Sequence, residues 1–166
     1  MLTELHWIDG PWPGRLAIAA RPRGADWVEE ELAAWRQMGI DTVVSLLTVD
    51  EEQDLDLQNE AREATAHEME FLSFPVADRQ VPSSFAAAAS LIERLDAGLA
   101  MGKNIAVHCR QGVGRSGLIA ASLLVGRGVE PEFAMERVST ARGVPVPETQ
   151  QQRNWIAHYA ETLIPR

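Results

Sequence analysis

Two kinds of hydrophobic run alternate along the chain: short apolar stretches of strand length, and longer segments whose apolar residues recur every three or four positions. Leu16-Ala17-Ile18-Ala19, just after the Pro11-Trp12-Pro13-Gly14 turn, reads as a short strand. From Asp26 to Met38 the residues Val28, Leu32, Trp35 and Met38 keep helical spacing, and Gly39 is placed to end the helix. Thr42-Val43-Val44-Ser45-Leu46-Leu47 predicts a strand buried on both faces, and Met69–Phe74 predicts another that stops at Pro75. Ser83 or Ser84 can cap the next helix, whose Phe85, Ala88, Ile92, Leu95 and Leu99 form one apolar stripe. Gly102-Lys103-Asn104 turns into the short strand Ile105-Ala106-Val107. A glycine-rich loop over 110–114 then enters a helix from Ser116 to Gly126 that is apolar nearly all round, and so central and buried. Two more helices are expected over about 131–141, with Pro131 in the first turn, and about 148–163. Strands alternating with helices predict an α/β fold, a central mostly parallel sheet flanked by helices on both sides. With no repeat, low-complexity tract or linker to divide it, residues 1–166 are expected to form one domain.

Charge and composition narrow the function. Fifteen basic against 24 acidic residues give a formal net charge of −9, which disfavours nucleic acid or an anionic membrane as the main partner. No run approaches the roughly 18 apolar residues of a membrane span. Met1–His6 lacks a basic region followed by an apolar core, so no signal peptide is expected and the location is expected to be cytoplasmic. Asp50, Glu51, Glu52, Asp54, Asp56, Glu60 and Glu63 form an acidic stretch without calcium-loop spacing or a mid-loop glycine; it reads as a solvated loop and helix face. His6, His67 and His158 share no ligand spacing, and the five tryptophans fall in separate elements, so these read as ordinary packing or surface residues. The lone Cys109 excludes an intramolecular disulfide framework and an all-cysteine metal cage. That thiol is either inert or central.

Its surroundings favour the second. In Val107-His108-Cys109-Arg110-Gln111-Gly112-Val113-Gly114-Arg115-Ser116-Gly117 the cysteine sits between a strand and a helix N-terminus. Gly112 and Gly114 permit positive φ and remove side chains, so successive N–H groups of residues 110–114 can point inward. With the positive end of the following helix they make a bowl for a dianion. The same field favours a thiolate: a free cysteine near pKa 8.5 is only a few per cent ionised at pH 7, whereas one lowered to about 5–6 is almost wholly ionised. Arg115, returning to the bowl, offers a planar fork to two phosphoryl oxygens. His108 can fix the loop by hydrogen bonds, and the Ser116 hydroxyl could donate to the sulfur as it leaves. Arg110 could line the pocket or stay solvated, and so could Arg79.

This loop closely resembles the His-Cys-x5-Arg-Ser/Thr signature of the cysteine-dependent protein tyrosine and dual-specificity phosphatases. Phe74-Pro75-Val76-Ala77-Asp78-Arg79-Gln80-Val81-Pro82-Ser83 resembles the loop on which those enzymes carry their general acid. Element order from about residue 40 to 160 fits the same fold, nearest to the compact kinase-associated-phosphatase-like group. The resemblance implies hydrolysis of phosphoproteins through a phosphocysteine, without metal or cofactor. Cys109 would attack, Arg115 and the loop N–H groups would hold the phosphoryl oxygens, and Asp78 would protonate the leaving group. Larger relatives place the hydrolytic water with a glutamine in a Gln-Thr-x-x-Gln pattern. Here Glu148-Thr149-Gln150-Gln151-Gln152 leaves Gln152 as the match to the second glutamine and an acid at the first.

Two other classes stay open. A rhodanese-like sulfurtransferase or an arsenate reductase also wraps an anion bowl around a cysteine, although Asp78 and Ser116 favour the phosphatase and no resolving cysteine is present. A non-catalytic phosphate-binding module would typically lack the cysteine, arginine or acid, and all three are here. The expected partner is a phosphorylated protein, phosphotyrosine first and dual specificity close behind. A cradle of Arg110 and Arg115 without lysine is sparse for a polyphosphorylated lipid or an RNA 5′-phosphate.

Overall fold

The computed structural model describes residues 2–164; Met1, Pro165 and Arg166, the ends of the expected 1–166 domain, lie outside the described residues. In chain order the elements are β1 (His6–Ile8), β2 (Leu16–Ala19), a 3-10 turn at Ala25–Trp27, α1 (Val28–Gln37), β3 (Thr42–Ser45), α2 (Val49–Asp54) and α3 (Glu60–Ala66). They continue with β4 (Glu70–Ser73), α4 (Phe85–Ala100), β5 (Ile105–His108), α5 (Arg115–Gly126), α6 (Pro131–Arg142) and α7 (Gln150–Thr162). One five-stranded sheet has the order β1-β2-β5-β3-β4. Four strands run parallel, with Leu16 and Thr42 both opposite Ile105 and Thr42 opposite Glu70. β1 lies antiparallel on β2, so the sheet is mixed at that edge only.

Strand side chains alternate between the faces, and the two cores follow that alternation. Leu16, Ile18, Val44, Ile105 and Val107 pack with the buried faces of α4, α5, α6 and α7. Ala17, Ala19, Val43 and Ala106 pack with Val28, Leu32 and Trp35 of α1 and Ala64 of α3. Above these small residues lies the large Trp35 side chain of α1, its ring centroid 6.1 Å from that of His108. Every residue of α5 from Arg115 to Val125 is buried, which is what an all-round apolar helix must do in water. Gly117 lets α5 pass the 143–149 loop, since a Cβ there would collide with Val146. Trimming any of the fully buried leucines of α5 to alanine would cost about 2–5 kcal/mol.

Three details differ from the sequence reading. The strand expected through Leu47 stops at Ser45, because Thr48 caps α2: its hydroxyl accepts from Glu51 N–H while the Glu51 side chain returns to the Thr48 backbone. The acidic stretch is mostly two short helices, α2 and α3, and not all of it is solvated, because Glu51 and Glu60 are buried. β1 is an additional strand of three residues. The parallel strands β3, β4 and β5 end at Ser45, Ser73 and His108. The loops that leave those carboxyl ends lie where open α/β sheets bind ligands.

Candidate active site

Cys109 follows β5 directly, is 3% exposed, and its Sγ accepts the Gly112 N–H at 3.3 Å. Gly112 has φ +70°, and a Cβ there would run into the Ala19 backbone at the end of β2, so only glycine lets the loop turn over the sulfur. Arg142, at the end of α6, braces the loop from outside, donating Nε–H to the Gly112 carbonyl and Nη2–H to the Gln111 carbonyl, each at 3.1 Å.

Arg115 opens α5, and its guanidinium is buried. Nη1 and Nη2 donate in parallel to the two carboxylate oxygens of Glu51, at 2.6 and 2.9 Å. Nη1 also donates to the Val76 carbonyl at 2.8 Å, and Nη2 to Asp78 Oδ1 at 3.1 Å. Among the described residues Nε–H has no acceptor, so Nε and the Nη2 hydrogen on Asp78 form the edge left for a ligand. Burial alone would lower the arginine pKa, but the hydrogen bonds to Glu51 and the nearby Cys109, Glu51 and Asp78 hold it above its ordinary value. For Glu51 burial pushes upward, and the Arg115 and Thr48 hydrogen bonds win, leaving it below the usual carboxylate range.

His108 is wholly buried between two acceptors. Nε2 lies 2.6 Å from Glu60 Oε2 and Nδ1 lies 3.2 Å from the Cys109 carbonyl. With Glu60 ionised, only an imidazolium donates to both. Burial and Arg115 oppose the charge, but Glu60 and the Cys109 carbonyl prevail and raise the histidine above its ordinary value. Glu52 nearby is raised, by burial first and by the Glu60 charge second.

A hollow of about 150 Å³ is lined by Asp78, Arg79, Cys109, Gln111, Gly114, Arg115 and Glu148. Asp78 stands at its mouth with a half-exposed side chain, and Arg79 pairs with Glu148 at 3.2 Å across it. The arrangement can hold a phosphoryl group between a thiol and a guanidinium, with a carboxyl beside it.

Residues 17–129 match the family model described as a DSP-PTPase phosphatase of polymorphic toxin systems. The chain belongs to this DSP-PTPase family. The candidate tyrosine phosphatase 197R of Invertebrate iridescent virus 6 is 34% identical over 113 residues, 64% of this chain. Cyclin-dependent kinase inhibitor 3 of Homo sapiens is 31% identical over 91 residues, 54% of this chain. The matched stretches span only 41% and 42% of those relatives' own lengths. Among solved structures, kinase associated phosphatase with its catalytic-site cysteine changed to serine superposes with a TM-score of 0.88 at 21% identity, covering 98% of this chain and 97% of that one. Tk-PTP in its active form gives 0.79 at 26%, covering 96% and 97%. The fold of this DSP-PTPase is therefore the tyrosine-phosphatase fold, as the two loops implied.

The structure thus brings Cys109, Gln111, Gly114, Arg115 and Asp78 to one hollow, with Gly112 on the sulfur and His108 beneath. Arg110 and Val113 line a neighbouring hollow instead. Ser116 is fully buried, and its hydroxyl has no hydrogen-bond partner among the described residues, so the bond to the sulfur is not formed. Gln152 is buried under Gly114 with both ends of its amide engaged: Oε1 accepts from Glu148 and Thr149 N–H, and Nε2 donates to the Gln80 carbonyl. It ties the 148–149 loop to the Asp78 loop, while Glu148 is the side chain of that loop that reaches the hollow.

Glu51, Glu60, Glu148 and Arg142 escaped the sequence reading as site residues. Two of them left a legible trace, Glu51 in the Thr48-x-x-Glu51 capping box and Glu148 at the first place of the Gln-Thr-x-x-Gln pattern.

Proposed function

We propose that the whole chain acts as one phosphatase domain that hydrolyses phosphotyrosine in proteins, with phosphoserine and phosphothreonine as further substrates. The observation that carries this reading is the meeting of Cys109, Arg115 and Asp78 in one hollow, with Arg115 Nη2 bridging to Asp78 at 3.1 Å. In the first step Cys109 Sγ bonds to phosphorus as the ester P–O bond breaks, and Asp78 gives its proton to the leaving oxygen. Phosphoryl oxygens take the Nε–H and Nη2–H edge of Arg115, displacing Asp78 from the guanidinium and freeing its carboxyl to serve the leaving group. In the second step Asp78 takes a proton from water, whose oxygen bonds to phosphorus as the P–S bond breaks, releasing phosphate and the thiolate. Fixed donors aimed at the phosphoryl oxygens supply most of the catalysis in such transfers. A thiol nucleophile works where thiols stay reduced, which supports the cytoplasm as its place.

The test is hydrolysis of an aryl phosphate between pH 5 and 8 with a metal chelator present, wild type beside Cys109→Ser. Chelator-resistant turnover that disappears in the variant, while the variant still binds a phosphate analogue, is the expected result. An inactive wild type with its thiol reduced, or an active Cys109→Ser, would overturn the reading and direct attention to thiosulfate and phosphopeptide binding.

A further inference from the structure

Asp78 rides on a four-residue turn, Ala77–Gln80, closed by the Gln80 N–H on the Ala77 carbonyl at 3.0 Å, with Arg79 at φ +64°. On its N-terminal side the turn is anchored through Val76. The Val76 N–H donates to the Leu46 carbonyl at 3.0 Å, and the Val76 carbonyl accepts from Arg115 at 2.8 Å. Among the described residues the turn itself has three polar contacts with the rest of the chain: Asp78 with Arg115, Arg79 with Glu148, and the Gln80 carbonyl with Gln152 Nε2 at 3.1 Å.

These three do not persist equally through the reaction. The phosphoryl group takes the Arg115 edge that Asp78 occupies, so the first contact is given up when Asp78 is needed as the acid. The second is an ion pair with the arginine side chain mostly in solvent, and such pairs hold little. The third is made by a residue with no exposed surface. Gln152 Oε1 accepts the Glu148 and Thr149 N–H groups, which fixes which way round the carboxamide sits and turns its amino end to Gln80. The same carboxamide lies against the cysteine loop, since a Cβ on Gly114 would come within 3.0 Å of both its ends. Gln152 therefore spans from the residue before Arg115 to the turn that carries Asp78.

We propose that Gln152 is a positioning residue for the proton donor. It holds the Ala77–Gln80 turn over Cys109 once the phosphoryl group has displaced Asp78 from Arg115, so that the Asp78 proton meets the leaving oxygen as the P–O bond breaks. This role rests on the phosphatase reading above. Gln152 then acts in the first step, the transfer to sulfur, and not by placing water in the second. Without its buried tether the turn is free to pivot about Val76, and the carboxyl spends less time in line with the leaving group.

The test is a leaving-group series from p-nitrophenyl to phenyl phosphate, with kcat/KM measured at pH 7 because it reports the steps up to the phosphocysteine. Gln152→Glu keeps the length and both acceptor bonds to Glu148 and Thr149 but, when ionised, offers the Gln80 carbonyl no hydrogen. Gln152→Met keeps the length without adding a charge. In both variants phenyl phosphate should lose about tenfold in kcat/KM, as one buried hydrogen bond provides, and p-nitrophenyl phosphate far less. In an Asp78→Asn background the same changes should cost nothing further, because no proton is left to position. Equal losses across the series in both variants, or a full further loss on top of Asp78→Asn, would overturn the proposal and leave Gln152 a structural role alone. A loss confined to kcat, with phosphocysteine accumulating and kcat/KM intact, would overturn it in favour of water placement. Wild type inactive on p-nitrophenyl phosphate overturns the phosphatase reading, and an Asp78→Asn loss that ignores the leaving group overturns the acid assignment. In either case this proposal falls with them.

Discussion

Glu60→Gln tests the buried charge pair beneath the cysteine. Glu60 opens α3 and His108 ends β5; their side chains are 2% and 0% exposed and meet at 2.6 Å. Removing one partner of such a pair costs about 3–5 kcal/mol, because the other is left buried and uncompensated. Glutamine keeps the volume and an acceptor, so the loss should sit near the lower end, about 3 kcal/mol or roughly 10 °C in Tm for a domain of this size. The pH dependence separates the pair from mere packing. His108 is held above its ordinary 6.5 in the folded chain, so its contribution is complete below about that pH and is lost as pH rises through the folded value. The loss proceeds at up to about 1.4 kcal/mol per pH unit. In the variant, burial has no opposing carboxylate and favours the neutral ring, which reverses the sign. The stability gap should therefore be widest at pH 5.5 and narrow toward pH 9. Urea unfolding followed by tryptophan fluorescence at four pH values measures it. The other charged neighbours are Arg115 and Glu52; repeating the comparison in a Glu52→Gln background removes the acid that titrates with the pair. A gap that is flat or widens with pH would refute the charged-pair account.

Asp78→Asn should cut turnover about 10²–10⁴-fold for alkyl and phenyl phosphates and far less for good leaving groups, as loss of a proton donor does; equal losses across a leaving-group series would reassign the acid. Glu51→Ala should destabilise by about 3 kcal/mol, because it removes the bidentate partner of buried Arg115 and leaves it only Asp78 and backbone carbonyls. Because the Glu51 pKa is depressed, its contribution is present above about 4.5 and is lost as pH falls through the folded value, so the wild-type advantage should shrink in acid. Peroxide should inactivate progressively, since this chain has one cysteine and none to form a protecting disulfide; full recovery with dithiothreitol after prolonged exposure would contradict this.

What could be read in the sequence was local. The stripe on α4, the all-apolar α5 and the Cys-x5-Arg loop each lie within one continuous segment, so period, caps and glycines declare them. The acids that steady the two buried cations do not declare themselves. Glu51 meets Arg115 across 64 residues and Glu60 meets His108 across 48. Beyond the Thr48-x-x-Glu51 capping box, nothing in a run of seven acids marks which two will be folded inward. β1, at three residues, is too short for an alternation to show. Gln152 illustrates the converse: its place in a motif suggested water, whereas the fold spends its amide on backbone.

The buried acids explain how an acidic protein can keep a positive bowl. A dianion site needs cations fixed before the ligand arrives, because reorganising them during the reaction would forfeit their effect. Buried guanidinium and imidazolium groups are unstable alone. Glu51 neutralises Arg115 through one edge of the fork, leaving the Nε edge open, and Glu60 neutralises His108 from the side away from the Cys109 carbonyl. Each acid approaches its cation on a side turned from the hollow or from the loop, and neither Glu51 nor Glu60 lines the hollow itself. The positive charge is thus stabilised from behind and presented in front. Asp78 and Glu148, the two acids that do line the hollow, are the ones whose side chains stay partly exposed.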